Sequence, residues 1–151
     1  MCRIALTLFV WLACAPALAA SCPPSHVQYP SARWVGGHAL PRLDTADKRM
    51  FRTMIRLGAR SGDPFADRYR LATWGCGTSC QQAALIDTRT GEVLPAPDAN
   101  LGYAARPGSR LLIVSPLEKG ERLNDRSLMA VNTPPSYYVL QGHRFVQVCR
   151  P

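Results

Sequence analysis

The chain has 151 residues, room for one domain, and its 18 Lys and Arg against 10 Asp and Glu give a formal charge of +8. Only Lys48 and Lys119 are lysines, so the positive charge is almost all arginine. A composition of 47% hydrophobic and 19% charged residues is ordinary for a globular protein and excludes a disordered tail protein, a collagen-like chain, a coiled coil and a multi-span membrane protein.

In chain order, residues 1–19 read as an export signal. Arg3 supplies the positive start, residues 4–15 an apolar run too short to span a bilayer comfortably, and Ala17 and Ala19 the small side chains that a signal peptidase accepts. The cut is expected after Ala19, with Ala20 as the near alternative, and the mature chain keeps a charge of +7 once Arg3 is lost. No membrane-spanning segment follows it. The rival is lipid attachment at Cys22, but Ala19 stands where lipoprotein signals carry a branched residue. Cleavage after Ala19 removes Cys2 and Cys14 and leaves Cys22, Cys76, Cys80 and Cys149, an even set that two disulfides use up in an oxidising compartment. Acylating Cys22 would strand one of the other three. The expected location is periplasmic or secreted.

Residues 20–41 hold Pro23, Pro24, Pro30 and Pro41 with Gly36 and Gly37, and show no period, which predicts an extended arm ahead of a single domain at 42–151. A helix is predicted over 46–57, capped by Asp44 or Thr45 and stopped by Gly58. Met50, Met54 and Leu57 fall at i, i+4 and i+7, with Phe51 and Ile55 widening the stripe and Lys48, Arg49, Arg52 and Arg56 mostly off it. This stripe is the face expected to pack on the core. A turn-rich link at 61–64 follows.

The period then becomes strand-like. Residues 68–74 alternate, with Tyr69, Leu71 and Thr73 on one face and Arg70, Ala72 and Trp74 on the other. Residues 83–87 and 92–94 flank a turn at 88–91, where Gly91 suits a positive φ. Residues 110–115 carry a continuous apolar run fit for a central strand, and 137–140 with 144–148 flank a second turn at 141–143. Residues 98–108 and 116–135 read as polar loops. The expected fold class is α+β: one N-terminal amphipathic helix packed on an antiparallel β-meander of about five strands, disulfide-bonded.

The most distinctive stretch is Trp74-Gly75-Cys76-Gly77-Thr78-Ser79-Cys80, followed by Ile86-Asp87 and Thr90-Gly91-Glu92-Val93, with Ser109-Arg110-Leu111-Leu112 downstream. Over residues 65–115, about a third of the chain, it resembles a family of small exported, largely uncharacterised bacterial proteins with a W-G-C-G-x-x-C segment ahead of an I-D-x-x-T-G-x-V hairpin. The resemblance implies a signal peptide, a helix and this hairpin order, and no activity. After Val93 the sequence departs from the family, since Leu94-Pro95-Ala96-Pro97 replaces an apolar-aromatic continuation and leaves the length of the second hairpin strand open.

Cys76 and Cys80 are spaced one residue wider than a C-x-x-C redox pair and sit among Gly75, Gly77, Thr78 and Ser79, which suits a disulfide stapling a tight loop. Cys22 would then pair with Cys149 and tie the chain ends. Crossed pairings and a redox use of Cys76 and Cys80 stay open. His26, His38 and His143 are scattered and form no metal motif with the cysteines, Ser79 lies outside a G-x-S-x-G elbow, and His143 reads as a turn residue. Asp87 is expected to cap its turn by accepting backbone N–H groups. The glutamates are Glu92, Glu118 and Glu121, a poor set for paired-carboxylate catalysis. No catalytic residue, metal or cofactor is implied.

What remains is binding. A basic, arginine-rich surface outside the cytoplasm suits a protein partner or an anionic envelope component, and no recognition motif points to nucleic acid. Trp74, Arg110, Tyr137 and Tyr138 are the candidate anchors, residue types that favour interfaces. The expected role is a non-catalytic binding or interaction protein, of inhibitor or immunity type, with two alternatives: a thiol-dependent redox or hydrolytic enzyme using Cys76 and Cys80, and an envelope component lipid-anchored through Cys22.

Overall fold

Strand alternation in this chain is apolar on both sides. Leu71 and Leu85 point one way from their strands while Ala72, Ala84 and Ile86 point the other, and all five are buried. A sheet with two apolar faces needs two covers. The computed structural model, which describes residues 22–118 and 133–149, supplies both. The predicted export signal with its cut after Ala19, and most of the loop predicted at 116–135, lie outside the described residues.

Among the described residues eight strands form two antiparallel sheets of four, each in sequence order. The first sheet holds β1 (Asp63–Phe65), β2 (Tyr69–Gly77), β3 (Cys80–Asp87) and β4 (Val93–Pro95). The second holds β5 (Tyr103–Ala104), β6 (Leu111–Val114), β7 (Ser136–Gln141) and β8 (Arg144–Cys149). The α+β class and the antiparallel pairing are as the sequence predicts, whereas the single five-stranded meander is not. β1 carries Pro64 inside the expected turn, which an edge strand tolerates, and β5 is two residues inside an expected loop, too short to show a period.

Phe65, Leu71, Leu85, Leu112, Val114 and Leu140 fill the space between the sheets, and the rings of Phe65 and Phe145 meet there at 5.8 Å. On the outer face of the second sheet, Leu111, Tyr137 and Val139 lie under Tyr29 of the N-terminal arm. The arm is extended apart from a 3₁₀ turn at His26–Gln28, and it is fastened through Ser109, whose Oγ lies 3.0 Å from the His26 carbonyl and 3.1 Å from that of Tyr29.

The outer face of the first sheet takes the helical segment. It runs as α1 (Ala46–Met50), with Thr45 Oγ1 accepting the Lys48 N–H, and α2 (Arg52–Ser61), separated at Phe51 by φ −94° and ψ 18°. Phe51 stacks on Trp74 at 5.0 Å between centroids. Two expectations fail here. Gly58 does not stop the helix; it faces Ala72, where an added Cβ would fall 2.7 Å from the Ala72 Cα and closer still to its Cβ. The helix also turns a different side to the core: Ile55 and Gly58 are buried, while Met50 is 71% and Leu57 56% exposed. The sheet beneath presents the small side chains of Ala72 and Ala84, so a close fit requires the flat side of the helix; Met50 and Leu57 of the expected stripe stay exposed, and Met54 is half-buried at the edge beside β2.

Candidate functional site

The four anchors expected from sequence are not brought together. Trp74 lies half-buried against Phe51, its Nε1–H donating to Gln82 Oε1 at 3.2 Å. Tyr137 and Tyr138 project to opposite faces of β7, Tyr137 under the arm and Tyr138 toward the space between the sheets. Arg110 borders a cleft of its own, its Nε donating to the Pro30 carbonyl at 3.1 Å, and Trp74 lines a separate one between the helical segment and the first sheet.

The W-G-C-G-x-x-C segment is the hairpin joining β2 and β3. Gly77 at φ 139° and Ser79 at φ 51° turn the chain, and the Cys76–Cys80 disulfide closes the turn with 5.1 Å between Cα atoms. The second disulfide joins Cys22 to Cys149, so the pairing is neighbours with neighbours and ends with ends. Cys76 sits at a strand end rather than at a helix N-terminus, so the helix field that stabilises a thiolate in redox motifs is missing there.

The cleft is built at the end of the sandwich where three turns and the arm converge. Asp87 ends β3 and is buried; its Oδ1 accepts the Arg89 N–H at 2.9 Å, the turn cap expected of it. Its Oδ2 accepts from Arg68 Nη2 at 2.7 Å, an ion pair that sequence reasoning missed. Arg68 comes from the turn between β1 and β2, where Ala66 and Asp67 both adopt positive φ, and the Thr88 hydroxyl donates to its carbonyl at 2.6 Å. The Tyr69 hydroxyl sits 2.7 Å from the same Nη2, and burial holds its pKa above the ordinary phenol value. The turn between β3 and β4 is joined to that between β7 and β8 by His143 Nδ1, 3.0 Å from Glu92 Oε2.

Arg33, Trp34, Arg68, Arg89 and Arg110 line the resulting cavity of about 350 Å³. The Arg89 guanidinium lies over the Trp34 ring at 5.8 Å. Of the carboxylates nearby, Asp87 is committed to Arg68, Asp67 accepts the Ser31 hydroxyl at 2.8 Å, and Glu92 lies against His143. Three buried side-chain nitrogens have no hydrogen-bond partner among the described residues: His26 Nδ1, which lies away from this cavity, and Arg68 Nε–H and Trp34 Nε1–H, which both belong to residues that line it. An unmatched buried donor is costly, and both N–H groups belong to side chains of a cavity whose charged lining residues are all cations.

No protein-family model, curated protein or solved structure matches the chain. Neither a histidine nor a cysteine lines the cleft, and no cluster of metal-binding side chains occurs among the described residues. Its four guanidinium groups are hydrogen-bond donors suited to an anion. Sequence spacing had no means of finding it, because Arg33, Arg68, Arg89 and Arg110 come from four separate segments.

Proposed function

We propose that the protein is an exported, non-catalytic binding protein that holds an oxyanion, a carboxylate or phosphate of an anionic envelope component, in the arginine-lined cleft. The observation that carries this reading is the pair of buried, unpartnered donors, Arg68 Nε–H and Trp34 Nε1–H, among four arginines. Guanidinium groups meet carboxylate and phosphate oxygens with paired, charge-assisted hydrogen bonds. The Trp34 ring gives the same cavity an apolar wall. The two disulfides fit an oxidising extracytoplasmic space, and a Cys22 sulfur bonded to Cys149 is not free to carry a lipid, which counts against the anchored alternative.

Calorimetric titration of the disulfide-bonded protein with phenyl phosphate and with benzoate tests this reading. Saturable binding of either probe is expected, weakened by about tenfold or more in Arg33→Gln/Arg89→Gln, which removes two charged donors while leaving the Arg68–Asp87 pair intact. Absence of saturable binding, or binding indifferent to the double substitution, refutes it.

A further inference from the structure

The helical segment has two apolar sides, and the fold uses one. At about 3.6 residues per turn, Phe51, Ile55, Gly58 and Ala59 share the side that meets the first sheet, while Met50, Thr53 and Leu57 share a side that leaves it. Met50 and Leu57 are among the most exposed large apolar residues in the described chain. Arg49, Arg52, Arg56 and Arg60 are all exposed alongside them. The side chains of Arg56 and Arg60 have no hydrogen bond or ion pair among the described residues, and those of Arg49 and Arg52 donate only to backbone carbonyls. Of the nearby carboxylates, Asp44 is paired with Lys48 at 2.7 Å, which leaves Asp47 and Asp63 against four unpaired arginines.

We infer that this face docks the protein on an anionic bilayer surface. Apolar tips flanked by cations are what an interfacial helix presents to a membrane: Met50 and Leu57 enter the boundary between headgroups and acyl chains. The arginine stems lie along it, and their guanidinium groups meet the phosphates. Charge selects this occupant over a second copy of the chain, which would set the same arginines against each other. The face is also separate from the cleft, since none of the residues lining the cleft belongs to the helical segment. The protein would thus lie along the membrane through the helix while the cleft stays open at the end of the sandwich.

Co-sedimentation of the disulfide-bonded protein with vesicles of pure phosphatidylglycerol and of pure phosphatidylcholine tests the inference. The protein is expected to sediment with phosphatidylglycerol and not with phosphatidylcholine, and salt should release it. Each arginine near an anionic surface contributes about fivefold in partitioning, so Arg52→Gln/Arg56→Gln/Arg60→Gln should weaken binding by about a hundredfold. Met50→Gln/Leu57→Gln should weaken it by about tenfold or more through lost apolar burial. All five positions are exposed, so urea midpoints of these variants should match the parent and exclude unfolding as the cause. Arg33→Gln/Arg89→Gln, which alter the cleft and not this face, should weaken vesicle binding far less than either set of helix substitutions. The inference is overturned if the parent fails to sediment with phosphatidylglycerol, if it binds both lipids equally, if the helix substitutions leave binding intact, or if the cleft substitutions abolish it.

Discussion

Replacing Gly58 by Ala sets two effects of opposite sign against each other. In a solvent-exposed helix the change stabilises by about 1 kcal/mol, because alanine has the better helix propensity. In this fold the new Cβ would lie 2.7 Å from the Ala72 Cα, with the Ala72 Cβ nearer still. Carbon atoms in contact sit at about 3.5–4.0 Å, so the helix must retreat by roughly an ångström. Retreat loosens Ile55 and Phe51 against Ala84, Ile86 and Trp74, and overpacking of this kind costs about 1–3 kcal/mol, more where backbone is the obstacle. Gly58→Ala should therefore lower stability by about 1–2 kcal/mol net, read as a fall in urea midpoint at unchanged slope with both disulfides closed. Ala72→Gly supplies the cross-check. Alone it should cost about 1 kcal/mol, but combined with Gly58→Ala it makes room for the new methyl, and the pair should show a favourable coupling of about 1 kcal/mol or more. A rise in stability for Gly58→Ala, or strict additivity of the two, would refute the close approach of α2 to β2.

The two disulfides should contribute unequally. They close sequence separations of 127 and 4 residues. By loop entropy, Cys22→Ser/Cys149→Ser should therefore lose about 5 kcal/mol and Cys76→Ser/Cys80→Ser about 2 kcal/mol; equal losses in urea unfolding would contradict this order. Stability should also depend on pH through His26, whose pKa is held below its ordinary value of 6.5 by burial and then by the nearby Arg106. The folded state binds fewer protons there than the unfolded chain, so this contribution is whole above about pH 6.5 and is lost as pH falls through the lowered folded value. His26→Gln should flatten the slope of stability between about pH 7 and pH 5, and an unchanged slope would exclude His26 as its source.

What was legible in the chain was whatever rests on local chemistry. The turn at 88–91 follows from Asp87 and Gly91, which has φ 74°, and that at 141–143 from Gly142 at φ 60°. The alternation of β2 marks which residues face the sister sheet, and the cysteine spacing points to the pairing found. The rest depends on what packs against what. β1 and β5 are too short to carry a period. The stripe of Met50, Met54 and Leu57 is a good helical pattern, yet Ala72 and Ala84 decide which side of the helix fits, and those residues are far away in sequence. The cleft is less legible still. Its donors lie in an arm, in turns and at a strand end, and contacts between distant segments bring them to one place: the ion pair of Arg68 with Asp87, the bonds of Ser31 to Asp67 and of Arg110 to Pro30, and the joining of two turns through Glu92 and His143.

The claim that the cleft holds an oxyanion is tested most directly at its two unpartnered donors. Their N–H resonances, Trp34 Nε1–H and Arg68 Nε–H, can be followed in a ¹⁵N-labelled sample during titration with inorganic phosphate. Both are expected to move downfield along a saturating curve with one shared dissociation constant, while the Trp74 indole, already bonded to Gln82, stays in place. Trp34 and Arg68 resonances that remain fixed while phosphate reaches saturating ionic strength would contradict the account.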